Sequence, residues 1–333
     1  MTINITLSLN RGFVRQATVA MYSILANASK DTHVQFWLLN TDLRPADVEY
    51  IHSHVDDFGT LDSIHIVAIQ ESDYCLIACN QYFGKEAGLR LFVAKYLDLE
   101  RVLHIDCDVL VLGDLSELYK VDLVGKAYAA VSEKHRYLLM YNPTIDPIRN
   151  SIYKVLDKHG YDIYQEGVDY VNSGVMLINC DYWRRHNYAE RAIKWFGDNQ
   201  GETVYPDQDC LNILALQDGI DSRVIVDSRY NTFASHFKYD KEPTYGYYRT
   251  VFETMGLKYN ALNMHEYNPI VVHYAGADKP WQGAKTLYRD IYLEYALKIG
   301  WNASRTKFKV RLKQLARYWL PHGILMSWMR RRK

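Results

Sequence analysis

A strand signal that ends abruptly on two carboxylates constrains this chain most: Val102–Ile105 reads as an apolar strand and stops at Asp106-Cys107-Asp108. The sequence before it alternates. Ile3–Leu9 reads as a strand, and Val14–Ala28 places apolar residues at helical spacing. Val34–Leu39 is a second apolar run, Pro45 opens a helix through Phe58, and Ile64–Ile69 is a third strand. A helix from about Lys85 to Leu97 then leads into the carboxylate-tipped strand. This alternation predicts an α/β fold with a mostly parallel central sheet. Further strands are predicted at Ala127–Val131, Gly174–Ile178, Arg223–Val226 and Ile270–His273, and helices near 147–159, Tyr188–Asp198, Asp207–Gln217 and Thr286–Ile299. In open α/β sheets the ligand crevice lies beyond the C-terminal strand ends, so the carboxylates stand where chemistry is expected.

Asp106 and Asp108, two positions apart, can project to one side of an extended segment and share a hard cation. Oxygen ligands favour magnesium or manganese, which complete their shells with substrate phosphates. A second constellation, His273-Tyr274-Ala275-Gly276-Ala277-Asp278-Lys279-Pro280-Trp281, also follows an apolar strand. Its imidazole can be a third metal ligand. Gly276 permits close backbone approach to a phosphate, and Lys279 adds a point charge for its oxygens.

These residues carry a resemblance to glycosyltransferase family 8, the retaining enzymes that include bacterial lipopolysaccharide glucosyl- and galactosyltransferases. It runs from Ile3 to about Trp281. It rests on Leu89-Arg90-Leu91-Phe92, His104-Ile105-Asp106-Cys107-Asp108, Val171-Asn172-Ser173-Gly174-Val175, Asp207-Gln208-Asp209 and the His273–Trp281 segment, in the family's order. The resemblance implies a Rossmann-like glycosyltransferase A-type fold, a UDP-hexose donor, and Mn2+ (or Mg2+) held by Asp106, Asp108 and His273. It also implies Arg90 reaching the donor, Asn172, Ser173 and Gly174 around the transferred sugar, and Gln208 near its reacting face. Asp207 and Glu133 become sugar-hydroxyl contacts. After the first strand the family usually places an acidic residue, whereas this chain has Ser8-Leu9-Asn10-Arg11-Gly12-Phe13. Asn10 is left to hydrogen-bond the nucleoside and Phe13 to stack on the base, with Ser8 beside them. Gln208 is a poor nucleophile, which favours internal return on one face over a covalent intermediate.

Charge separates the C-terminal stretch from the rest. The formal net charge is zero, yet residues 305–333 hold ten Lys or Arg and no Asp or Glu. Phe308, Leu312, Leu315 and Trp319 fall on one helical stripe with Lys309, Lys313 and Arg317 opposite, and Arg330-Arg331-Arg332-Lys333 closes the chain. This predicts a segment lying on an anionic membrane surface. The division expected is a nucleotide-sugar glycosyltransferase domain over 1–285 and a helical, basic membrane-surface segment over 286–333. The acidic remainder argues against nucleic acid. Ten aromatic residues crowd 230–267, which with Tyr137–Tyr170 marks where a saccharide or lipid-linked acceptor is sought.

Five cysteines (Cys75, Cys79, Cys107, Cys180, Cys210) without framework spacing, and no signal-peptide pattern, predict packing thiols and a cytoplasmic protein, peripheral at the inner face of the cell membrane. Two other classes stay open from the residues alone. A haloacid-dehalogenase-like phosphatase also opens with Asp-x-Asp after a strand, but Leu110 stands where that class has Thr or Val. The other is a non-enzymatic nucleotide-sugar-binding protein.

Overall fold

The structure, a computed structural model, describes residues 1–75, 77, 85–133, 154–163, 165–199, 203, 205–234, 268–276 and 278–303. Its strands alternate their side chains between two packed layers, as a sheet covered on both faces requires. From β1 (Thr2–Leu9), Ile3, Ile5 and Leu7 enter one layer. They are joined there by Val34, Phe36 and Leu38 of β2 (His33–Asn40) and by Leu103 and Ile105 of β4 (Arg101–Ile105). Helix Val14–Asn27 closes this layer with Val14, Ala17, Met21 and Ile24, spaced three or four apart on one stripe. The opposite layer takes Val102, then Tyr128 and Ala130 of β6 (Tyr128–Ser132), then Met176 and Ile178 of β7 (Val171–Asn179). Helices Tyr188–Asp198 and Pro206–Asp218 cover it through Trp195, Phe196, Leu211 and Leu214.

With β3 (Leu61–Ala68) and β8 (Arg223–Ile225) the main sheet has the order β3-β2-β1-β4-β7-β6-β8. Pairing is parallel except at β7, which runs against both β4 and β6. The chain steps outward from β1 to β3 and returns on the other side of β1 as β4, so the switch point lies between β1 and β4. A second sheet is made of β5 (Val109–Val111), β10 (Val271–His273) and β9 (Thr232–Phe233), with β10 in the middle. Helix Arg289–Lys298 packs over it through Tyr292 and Ala296 and is tied to the body where Asn27 Nδ2 donates to Tyr295 Oη (3.1 Å).

The expected α/β architecture with a mostly parallel sheet is present, with local differences. The helix expected over 85–97 is a 3-10 helix, Lys85–Phe92, followed by one α turn, Val93–Tyr96. Gly88 lies so close to Ile77 that a Cβ there would come within 2.5 Å of its side chain, and Arg90 Nε donates to the Ala87 carbonyl (2.7 Å), drawing the turn tight. The last helix begins at Arg289 rather than Thr286, because Tyr288 takes a left-handed conformation (φ 52°) and turns the chain into it. Asp106 and Asp108 do not share one extended segment: Asp106 adds a last bond to the β4 ladder, and Asp108 lies in the turn between β4 and β5. Cys107, Cys180 and Cys210 are buried thiols, but Cys75, expected to pack, is exposed. Cys79, residues 147–153 of the helix expected there, most of the aromatic stretch 230–267, and the basic tail 305–333 lie outside the described residues. Among the described residues no helix is long and apolar enough to cross a membrane.

Candidate active site at the junction of the two sheets

Past Ile105 the chain makes one more ladder bond, Asp106 N–H to Gly174 O (2.8 Å), then turns through Cys107 and Asp108 into β5. β5 pairs antiparallel with β10, setting His273 opposite Val109, and Tyr274 N–H donates to Asp108 O (2.9 Å). Strand pairing therefore closes a separation of some 165 residues in sequence. Single ligand atoms of Asp106, Asp108 and His273 lie within 4.8 Å of one another. His273 Nε2 stands 3.2 Å from Asp108 Oδ1 and 3.7 Å from Asp106 Oδ2. Gly174 makes room: a Cβ there would sit 2.4 Å from His273 Cε1 and 2.8 Å from Asp106 Oδ2.

Neighbouring cations hold Asp106 and Asp108 ionised. Arg90, 3% exposed, donates from Nη2 to Asp106 Oδ1 (2.6 Å) and from Nη1 to the Ser173 carbonyl, with Nε 3.3 Å from Asp207 Oδ2. Burial works to raise the Asp106 carboxyl, but the Arg90 guanidinium and His104 outweigh it and leave it below the usual range. Burial likewise opposes Asp108, and Lys279, hydrogen-bonded to Oδ2, with His273 pulls it far below. Asp207 goes the other way: burial raises it, Arg90 offsets part of this, and Asp106 adds repulsion. His104 is pushed down to about 4, by burial first and Arg90 second. It is a neutral ring at pH 7, its Nδ1 3.1 Å from Thr6 Oγ1 and its Nε2 3.3 Å from Asp106 Oδ1.

Beside the carboxylates lies a group of amides. Gln208, in the first turn of helix Pro206–Asp218, accepts at Oε1 from Asn172 Nδ2 (2.9 Å) and from Ser173 N–H (3.2 Å). Ser173 Oγ donates to Asp207 Oδ2 (3.0 Å). Asn172 Oδ1 accepts from Gly174 N–H (2.9 Å) and Asn231 Nδ2 (2.8 Å), and Asn231 Oδ1 meets His273 Nδ1 (2.9 Å). The helix start is itself pinned: Tyr170 Oη donates to Asp209, and Asn212 brackets Val171, accepting from its N–H (2.8 Å) and donating to its carbonyl (3.0 Å).

Residues 4–285 match the family described as Glycosyl transferase family 8. The chain belongs to glycosyltransferase family 8. It is 25% identical over 286 residues to General stress protein A of Bacillus subtilis, covering 84% of this chain and 88% of that one. It is 25% identical over 207 residues to a lipopolysaccharide 1,2-glucosyltransferase of Escherichia coli, covering 62% of this chain and 52%, about half, of that relative. The fold is that of the galactosyltransferase LgtC, solved with donor and acceptor sugar analogs: TM-score 0.67, 22% identity, covering 88% of this chain and 95% of that one. The fold is therefore the glycosyltransferase A type. Family membership sets aside the phosphatase and the non-enzymatic binder, and the acidic pair follows the fourth strand rather than the first.

Within this family 8 fold the other expected residues are less gathered. Ser8, next to last in β1, has its hydroxyl buried and, among the described residues, without a hydrogen-bond partner. Asn10 Oδ1 accepts from Gly12 N–H (2.9 Å), capping the 3-10 turn Arg11–Phe13, and Phe13 is 40% exposed. Glu133 is buried just past β6, its N–H donating to Tyr170 O (2.7 Å). Gly276 has φ +86°, a left-handed turn that favours glycine, between β10 and Lys279. Asn231, Asn212 and Tyr170 were not singled out in the sequence, and His104 was quoted there only as part of a motif. Asn212 had a signal, a polar residue one turn after Gln208 on an otherwise apolar helix face.

Proposed function

We propose that this family 8 enzyme transfers a hexose, glucose or galactose, from a UDP-sugar to a saccharide or lipid-linked acceptor with retention of anomeric configuration. A divalent cation, Mn2+ or Mg2+, is held by Asp106, Asp108 and His273. The observation that carries this is the convergence of two carboxylates and an imidazole within 4.8 Å. The residues fit such an ion: an oxygen, oxygen and nitrogen set is hard enough for it, and the electron-rich atoms crowded at one point are relieved by a cation between them. When bound, the ion supplies charge stabilisation for departing UDP.

The chain's own residues do the rest. Lys279, beside Asp108, offers its ammonium to phosphate oxygens, and Arg90 holds Asp106 through Oδ1 so that Oδ2 faces the imidazole. Asn172, Ser173, Gly174, Asp207 and Glu133 take the transferred sugar; Ser8, Asn10, Phe13 and the Gly276 turn take the nucleotide. Both acceptor positions on Gln208 Oε1 are used by protein donors. An oxygen so engaged is a weak nucleophile, which supports same-face internal return over a covalent glycosyl-enzyme. Screening UDP-sugars for UDP release tests this reading. One UDP-hexose should react in Mn2+ about 100-fold or more above the chelated control, and reaction only with a nucleotide sugar of another base would overturn the donor assignment.

The catalytic domain spans 1–285. Helix Arg289–Lys298 is docked to it, and Tyr50 Oη donates to Ile299 O (2.8 Å), so the membrane-surface role falls to residues 305–333. These place the enzyme at the inner face of the cell membrane, where a lipid-linked acceptor is displayed. The full chain should float with anionic vesicles and a truncation after Asn302 should not; equal failure to float would end this proposal.

A further inference from the structure

The amide chain between Gln208 and His273 has its polarity fixed by backbone groups. Gly174 N–H donates to Asn172 Oδ1 (2.9 Å) and Ser173 N–H donates to Gln208 Oε1 (3.2 Å). A backbone N–H only donates, so both acceptors are oxygens whichever way an amide is turned. Asn231 must then give its NH2 to Asn172 Oδ1 (2.8 Å), which turns its own oxygen onto His273 Nδ1 (2.9 Å). An amide oxygen only accepts, so Nδ1 carries a proton. Nε2 faces Asp106 and Asp108, and a cation among these three groups would displace a proton from Nε2 while Nδ1 keeps its own.

We propose that Asn231 is a positioning residue: it fixes His273 in the Nδ1–H tautomer, presents Nε2 to a divalent cation, and through Asn172 ties that ligand to the amide of Gln208. The inference rests on the metal reading above. Its placement follows from the fold. Asn231 is 2% exposed and ends the 3-10 turn Ser228–Asn231; β9 starts at the next residue and pairs Phe233 with His273. The Phe233 ring, 5.4 Å from the imidazole centroid, packs beside it and limits its rotation. Ligating histidines depend on such a partner for tautomer and orientation, and losing it typically weakens metal binding about 10- to 100-fold.

The test uses the full chain labelled with 15N-histidine and saturated with diamagnetic Mg2+, so that the ring is read as it ligates. His273, identified by loss of its signals in His273→Gln, should show a pyrrole-type Nδ1 and a pyridine-type Nε2. Asn231→Ala should scramble that signature and weaken Mn2+ binding, read by electron paramagnetic resonance, about 10- to 100-fold. Asn231→Asp keeps the acceptor on Nδ1 but removes the donor to Asn172. It should hold the tautomer and bind Mn2+ at least as well as wild type, while kcat for transfer falls about 10-fold or more. That split separates positioning from mere folding. Wild-type Mn2+ binding with an unmoved tautomer and affinity in Asn231→Ala would overturn this inference alone. A wild-type chain that binds no Mn2+ would sink the metal reading and the positioning role with it.

Discussion

Asp108→Asn is expected to lower sugar transfer roughly 1,000-fold, about 4 kcal/mol of transition-state stabilisation, and to lower the melting temperature as well. The two halves of that expectation have one cause. Asp106 and Asp108 repel each other, yet Arg90 holds the first ionised and Lys279 with His273 the second. Neutralising Asp108 removes the repulsion but also the stability that its depressed carboxyl contributes at neutral pH, and leaves only an amide oxygen for the Lys279 ammonium. For the proposed transfer, what is lost is an anionic ligand for a divalent cation and the countercharge that holds Lys279. Metal-dependent UDP release, Mn2+ affinity and a thermal melt read the three parts separately. Transfer within tenfold of wild type would mean that the carboxylate cluster does not carry the reaction.

The features legible in the sequence are those whose cause is local. β1, β2 and β4 announce themselves because an apolar run bounded by polar residues has few other uses, and the same signal locates Asp106, Asp108 and His273 at strand ends. The direction of β7 is not local: a strand buried on both faces has the same composition whichever way it runs. β5 and β9, three and two residues long, exist through their pairing with β10 and carry no periodic signal. The 3-10 form of 85–92 depends on Gly88 meeting Ile77 from another segment. Asn231 is the sharpest case. Its partners are 59 residues before it and 42 after it, and an asparagine within an aromatic stretch otherwise reads as loop.

Arg90→Met is expected to destabilise the fold by about 3–5 kcal/mol and lower Tm by about 5–10 °C, the largest stability effect among these substitutions. A methionine of similar length fills the volume, but Asp106 and Asp207 lose their shared cation, and the Ser173 and Ala87 carbonyls lose a donor. Arg90→Lys should recover only part, since one ammonium cannot span two carboxylates and two carbonyls as a planar fork does. Asp207→Asn on the Arg90→Met background should restore more than 1 kcal/mol by removing the buried charge left unpaired, an effect a double-mutant cycle isolates. The pH dependence has a definite sign. Asp207 already titrates above the usual carboxylate range, from burial first, and losing Arg90 raises it further. A folded-state pKa above the unfolded one means the native state binds more protons between them, so stability falls as pH rises through that window. The deficit of Arg90→Met should thus be smaller near about pH 4 than near about pH 7.5, whereas adding Asp207→Asn should flatten the difference. A deficit that grows on acidification would mean that neither Asp207 nor Asp106 is left stranded by the loss of Arg90, since protonation relieves an unpaired carboxylate.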